Sequence, residues 1–488
     1  MTQIRTPDAP LVCYDWQQAD VDKCLRTMSQ DVGALITSSP GAGKTVVATE
    51  VAKGLGAKVI LIIAPQGTHF SAWERTVRRQ GLADEVRVLI GTNPGKRAFA
   101  DLQWGVPGIY ITTQQWFARQ DWRKVKPDMV IYDEVHQAAT YGIKTSERLL
   151  QLSHVKYRMG LSGTPLRNKF ENAWSLVRFI EPSKMPHDYW VFRLTLCATK
   201  PDPFAPQGRV VVGEKEPGAL FNSLTCYIQH LQRERCCDYH PKGFLAHLPA
   251  PLRIERIVPM QQDQAKFYRE MEGILASSLL DETGGVVRIH AEQFIVARNM
   301  LRRAACALPV AEEIVDPDDS ENVRIRLQFP LDTASPKIDE LIADLPSHEG
   351  RHTLVLTHSK QIAKLAVAKI AKAGYTVEGW HGDASKAERN SILARFTSGE
   401  LEVIVGVIAA MGTGTDGLQE VCYNLDWLSY DDDGSNNLQG LGRLDRLGQD
   451  KQVVVRDYMS SQTIDVGFFG KQMERVLKIE ESLRKVEA

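Results

Sequence analysis

The sequence predicts an α/β protein, with two parallel-sheet lobes in tandem and a mainly helical insertion between them. Three observations carry this. Up to about residue 180, short apolar runs alternate with amphipathic stretches; the alternation returns after about residue 350; and the stretch between is helical and then acidic. Strand–helix alternation means a parallel sheet with helices on both faces. A chain of 488 residues is also too long for one ordinary core. The expected domains are 1–182, 183–335 (insertion and linker) and 336–488.

The first-lobe strand candidates are "GALITSS", "KVILIIAP", "VRVLIG", "GIYITT", "DMVIYDE" and "YRMGLSGT". They are short, β-branched and bounded by Gly, Pro or polar residues. Helical patterns such as "TVVATEVAKGL" and "HFSAWERTVRRQG" separate several of them. In the middle, "QQDQAKFYREMEGILASSLL" and "AEQFIVARNMLRRAACAL" read as helices, followed by the acidic "EEIVDPDDSENVRIRLQFPLDTASPK". The second lobe offers "HTLVLTH", "YTVEGWHG", "LEVIVGVIAA", "EVCYNLDW" and "KQVVVRDYMS", with "SKQIAKLAVAKIAKAG" as a helix ended by glycine.

The hydrophobic share of 43% and charged share of 24% are those of a globular protein. A net charge of −1 gives no global basic field, which leaves room for a local basic groove. No apolar run reaches the ~18 residues of a membrane span, and the N-terminus lacks a segment of signal-peptide type. Eight scattered cysteines suit reduced thiols in a cytoplasmic protein. The cluster Cys226, Cys236, Cys237 and His240 has no standard zinc spacing.

The chemistry starts at "ITSSPGAGKT", a phosphate loop between a strand and a helix. Pro40, Gly41, Ala42 and Gly43 form the turn that aims backbone N–H groups at phosphate oxygens. Lys44 reaches the β- and γ-phosphates, and the Thr45 hydroxyl binds Mg²⁺. Ser38 stands where the simplest motif has its first glycine. In "MVIYDEVHQ", Asp133 and Glu134 fall at a strand's carboxyl end. Asp133 suits holding Mg²⁺ through water, and Glu134 suits polarising the attacking water. ATP and Mg²⁺ are therefore the expected cofactors.

Several segments together resemble the superfamily-2 helicase-type ATPases, and most closely their Swi/Snf class. "PGAGKT", "DEVH" and "LSGTPLRN" look like motifs I, II and III, with Arg167 in place of the usual Gln. "APQGTHFSAW" and "YITTQQW" look like motifs Ia and Ib, and "LVLTHSKQ" like motif IV. "GWHGDASKAERNSILARF" is similar to the segment that follows, "AAMGTGTDGL" to motif V and "LQGLGRLDRLGQ" to motif VI.

The resemblance implies two RecA-like lobes with ATP at their interface and a nucleic-acid strand crossing both. It implies adenine recognition by Gln17, with Gln18 as the rival, and nucleotide contacts at Gly414 and Asp416. It also implies backbone contacts at Pro65, Thr112, Thr113, Thr357, His358 and His381, and coupling through His136, Ser162 and Thr164. His136 as an ordinary buried histidine, and Ser162 and Thr164 as turn residues, are the plainer readings. Gln439, Arg443 and Arg446 are the expected catalytic group of motif VI. Their spacing of three puts the two arginines on one helical face, with Arg446 nearest the developing charge. Trp73, Trp116, Trp174 and Trp190 read as packing residues. The expected activity is ATP-driven translocation on DNA, duplex favoured, by a monomer. A strand-separating helicase and an ATP-dependent clamp are the alternatives. Thin accessory regions suggest a bacterial, archaeal or viral source.

Overall fold

The structure is a computed structural model that describes residues 13–65, 68–82, 86–166, 169–202, 208–232, 242–277, 291–316, 319–350, 352–411 and 417–466. These form two compact units, one ending at His247 and the other beginning at Leu248.

In the first unit the strands are β1 (Ala34–Ile36), β2 (Val59–Ala64), β3 (Val86–Leu89), β4 (Gly108–Thr113), β5 (Met129–Asp133) and β6 (Tyr157–Leu161). They are followed by β7 (Cys197–Pro201), β8 (Arg209–Glu214) and β9 (Tyr227–Ile228). Among the described residues, a seven-stranded sheet runs in the order β3-β4-β2-β5-β6-β1-β9, with parallel pairing throughout. β2 makes plain why its sequence is an unbroken apolar run. Val59, Leu61 and Ile63 enter the core on one face, while Ile60, Ile62 and Ala64 enter the core on the other. β7 and β8 make a separate antiparallel pair.

The second unit holds β10 (Leu252–Val258), β11 (Val310–Asp316), β12 (Asp319–Gln328), β13 (Thr353–Thr357), β14 (Val377–Trp380), β15 (Val403–Val407), β16 (Asn424–Trp427) and β17 (Val454–Ser460). Its sheet order is β10-β17-β16-β13-β15-β14, again parallel throughout. β11 and β12 form an antiparallel hairpin.

The stretch 183–335, expected as a mainly helical insertion and linker, is shared between the units. It supplies β7–β9 to the first. To the second it supplies β10, the hairpin and the helices Gln262–Ser277 and Ala291–Cys306. Two edge strands thus come from this segment: β9, whose two residues are too few to show alternation, and the seven-residue β10.

One buried cation closes the base of the first sheet. Arg158 on β6 is fully buried. It donates to the carbonyls of Phe179 (2.7 Å) and Ile180 (3.3 Å), which end the helix Ala173–Ile180, and to those of Gln30 (2.8 Å) and Val155 (2.6 Å). Helix-terminal carbonyls have no partner within the helix, so the guanidinium supplies one. Burial lowers the Arg158 pKa. Arg158→Met takes the donor from the carbonyls of Phe179, Gln30 and Val155, while Ile180 O keeps the Gly33 N–H (2.8 Å), and should cost about 3 kcal/mol in urea denaturation.

In the second unit, Asp426 on β16 is fully buried beside Arg456 (3.5 Å) and the Nε2 of His348 (3.7 Å). Burial pushes Asp426 up to about 7 and His348 down to about 4. A carboxyl raised in the folded state stabilises below its unfolded pKa and loses that contribution as pH rises through the folded value. Wild-type stability relative to Asp426→Asn should therefore fall between pH 4 and pH 7, by about 1.4 kcal/mol per unit at most, and level off above. Chemical denaturation of both proteins across that range measures it, and parallel curves would remove Asp426 as the cause.

Candidate nucleotide site on the edge of the first sheet

Every strand of the first sheet points its carboxyl end to one edge, and the expected motifs leave from there. The loop after β1 leads into the helix Lys44–Gly54. Gly41 (φ 85°) and Gly43 (φ 74°) adopt left-handed backbone, which glycine reaches at little cost. The helix's first-turn amides, at Lys44 and Thr45, lack an intrahelical acceptor and make an anion site. Lys44 Nζ lies in the cradle, donating to the carbonyls of Ser38 (2.7 Å) and Ser39 (3.3 Å).

Ser38 has a clear reason to replace glycine. Its hydroxyl accepts the backbone N–H of His230 at 3.1 Å, while Ser39 N–H donates to His230 O at 2.9 Å. The chain beyond β9 thus clamps the loop. His230 is held by Asp20 (2.8 Å) and meets the Trp16 ring edge-on at 4.7 Å. Gln17, not Gln18, faces the loop. Its Nε2 donates to Ala42 O (3.1 Å) and its Oε1 accepts from Tyr14 N (3.0 Å), whereas Gln18 is exposed and bonds Asp22. A Cβ at Gly43 would sit 2.3 Å from Gln17 Nε2.

Asp133 ends β5 and Glu134 follows in left-handed backbone (φ 49°, ψ 50°), a strained state that persists where surroundings enforce it. Gln114 supplies part of that enforcement, donating to Asp133 O (3.0 Å) and reaching Glu134 O (3.5 Å). Asp133 Oδ1 accepts the Glu134 N–H (3.0 Å), and Oδ2 accepts the indole N–H of Trp73 (2.7 Å). His136 Nδ1 lies 3.2 Å from Glu134 Oε2 and 2.7 Å from Ser162 Oγ. Ser162 Oγ also accepts Thr164 N–H (3.0 Å), and Gly163 packs on Pro40 with only 3.2 Å for a Cβ. The loops after β1, β5 and β6 thus form one connected group.

A threonine hydroxyl and a carboxylate are hard oxygen donors of the kind Mg²⁺ takes. Among the described residues there is no cluster of three or more His, Cys, Asp or Glu that could hold a metal. Trp73 and Gln114 were not singled out for this role from the sequence. Each pairing spans many positions, and an indole or amide gives no spacing signal.

The expected nucleic-acid residues divide. Pro65 is buried after β2. Thr112 is fully buried with its hydroxyl on Leu89 O (3.2 Å), and Thr357 is fully buried against Ser429 Oγ (2.9 Å). Contrary to expectation, neither hydroxyl faces outward, because each strand-end threonine points into packed core. Thr113 caps the helix Gln114–Phe117 through Trp116 N–H (3.2 Å). His358 is half-buried, with Nδ1 2.7 Å from Ser429 Oγ. His381, half-buried after β14, has its pKa lowered by burial and by Lys360, Lys364 and Arg389.

In the second unit, Gln439 lies in the helix Gly434–Leu441. The shared helical face expected of Arg443 and Arg446 is absent, because that helix ends at Leu441 and both arginines lie in successive turns. Arg443 N–H bonds Gly440 O (3.2 Å) and Arg446 N–H bonds Leu444 O (3.1 Å). Arg443 is buried and Arg446 half-buried. Gln449, the motif's last residue, is structural, donating to Cys422 O (2.9 Å). Gly414, Asp416, Arg167, Cys236, Cys237 and His240 lie outside the described residues. Cys226 meets Cys24 at 3.8 Å between sulfurs.

The family model of the SNF2-related domain matches residues 16–309, and that of the helicase conserved C-terminal domain matches 336–448. The SWI/SNF chromatin-remodeling complex subunit snf22 of Schizosaccharomyces pombe is 22% identical over 480 residues, 92% of this chain and 27% of that protein. The ATP-dependent RNA helicase RhlB of Xanthomonas axonopodis pv. citri is 32% identical over 133 residues, 27% of this chain and 22% of that one. The chain spans about a quarter of the length of these relatives. The solved helicase domain of Pyrococcus furiosus Hef gives a TM-score of 0.51 at 15% identity, over 93% of this chain and 97% of that one, a likeness of fold. A yeast and a bacterial relative give no preference for a bacterial, archaeal or viral source. No helix among the described residues is long and apolar enough to cross a membrane.

The contact between Gly43 and Gln17 is testable. Gly43→Ala adds a Cβ against Gln17 in left-handed backbone, at about 1 kcal/mol or more. Titration with Mg²⁺-tripolyphosphate, which carries no base for Gln17 to meet, should find affinity reduced about tenfold, with part regained in Gly43→Ala/Gln17→Ala. No regain would mean that backbone strain alone is responsible.

Proposed function

Because the chain belongs to the SNF2-related family of superfamily-2 ATPases, we propose that it hydrolyses ATP and couples turnover to movement along DNA, with duplex favoured. The observation that carries this reading is the joined set of loops on one sheet edge: Lys44 in its cradle, Asp133 with both oxygens held, and Glu134 linked through His136 to Ser162.

In this reading Lys44 and the first-turn amides hold the β- and γ-phosphates, and Gln17 shapes the loop and meets the base. Thr45 and Asp133 hold Mg²⁺, which neutralises phosphate charge when bound. Glu134 orients the attacking water. Hydrolysis needs this positioning and charge stabilisation more than covalent chemistry. His136 ties Glu134 to the turn of Ser162 and Thr164, so a shift in that turn reaches the base. Gln439, Arg443 and Arg446 serve turnover, as guanidiniums suited to phosphate oxygens, and Gly414 and Asp416 complete the nucleotide contacts. Thr113, His358 and His381, near strand ends, meet the nucleic-acid backbone, and the buried Pro65 shapes the turn after β2. The buried Thr112 and Thr357 hold those loops in place instead. The likeness to an RNA helicase favours a second reading, strand separation on forked DNA or RNA.

ATP turnover measured with duplex DNA, single strands, forks and RNA, together with triplex displacement and fork unwinding, separates these readings. Duplex-stimulated turnover with displacement and no unwinding is expected; turnover indifferent to every nucleic acid would sink both. Lys44→Ala should lose turnover by at least about a hundredfold. Arg446→Ala should cut turnover far more than ATP affinity, and equal losses would refute its assignment to the chemical step.

A further inference from the structure

Trp73 lies in the helix Thr68–Arg79 and is 1% exposed. Its ring belongs to the core beside Val77, Ile60 and Ile131. A buried indole N–H needs an acceptor, and a backbone carbonyl would serve. Here the acceptor is the side chain of Asp133, 2.7 Å away. The other Asp133 oxygen accepts the N–H of Glu134 at 3.0 Å. Two donors, one on each oxygen, fix the rotation of the carboxylate about its own bond. The packed ring fixes the donor in turn. A carboxylate that holds a metal through water depends on such orientation, because the water positions follow its lone pairs.

We propose that Trp73 is a positioning residue for the metal-holding acid, its N–H fixing the plane of the carboxylate with which Asp133 would hold Mg²⁺. This rests on the reading of Asp133 as the magnesium acid. The indole contributes nothing to the phosphate contacts, so its effect is confined to what the metal adds.

The test removes the N–H donor, in Trp73→Phe, with Trp73→Met as the second variant should the first fold poorly. Affinity for a fluorescent ADP is measured in EDTA and across a Mg²⁺ titration, and Mn²⁺ binding to the ADP-bound protein is counted by electron paramagnetic resonance. Affinity in EDTA should stay within twofold of wild type, while half-saturating Mg²⁺ and Mn²⁺ rise about tenfold. The shift should vanish in an Asp133→Asn background, where a general packing defect would persist. Unshifted metal dependence in Trp73→Phe, where Asp133→Asn alone shifts it, overturns the proposal and leaves the Asp133 reading intact. Equal losses with and without metal also overturn it, as the mark of plain packing. Unshifted metal dependence in Asp133→Asn overturns the magnesium assignment itself and the role of Trp73 with it.

Discussion

Parallel pairing brings the carboxyl ends of β1, β2, β4, β5 and β6 to a single edge of the first sheet, and the chemistry of this unit depends on that. Both faces of the sheet are packed, so a strand such as β2 has no position along its length for a polar side chain. Polar groups collect where the strands stop. Asp133 is the last residue of β5, and Lys44, Glu134, Ser162 and Gln114 lie in the turns beyond a strand. They converge because their strands are parallel neighbours, although the sequence separates them by long stretches.

Convergence alone would leave mobile loops, and buried hydrogen bonds remove that freedom. Ser162 is fully buried and His136 nearly so. An unpaired polar group in such a place is costly, which favours the arrangement in which the His136 ring nitrogen meets Ser162 Oγ at 2.7 Å, with Glu134 beside it. The same logic explains Ser38. A glycine there would leave the His230 amide without its acceptor, and the loop would hold the returning chain only through Ser39 N–H and His230 O. The phosphate loop is thus completed by residues 192 positions further on.

The second unit solves a different problem, that of charges inside a sheet sandwich. Lys337 is fully buried and bonded to Asp465 and to Leu428 O (3.1 Å). Asp426 is paired with Arg456, its register neighbour on β17. Each charge has a partner within its own unit, as burial of a charge requires. β10 protects one edge of that sheet by pairing with β17 over seven register positions, from Leu252 to Val258.

Sequence alone determined the α/β class, the two sheets, the phosphate loop, the acidic pair after its strand, and the family. These are local matters. A run of apolar β-branched residues, a Gly-rich turn before a helix and a motif all lie within a dozen positions, where periodicity and chain geometry act. Tertiary structure decided the rest. It turned the Thr112 and Thr357 hydroxyls inward, ended the motif VI helix before its arginines, and drew β9 and β10 from a segment that reads as helical insertion. It also gave Asp133 its indole partner and Ser38 its reason. Most of these depend on which atom of a distant residue arrives within hydrogen-bond distance, and that is set by how the sheets close, which no linear spacing records.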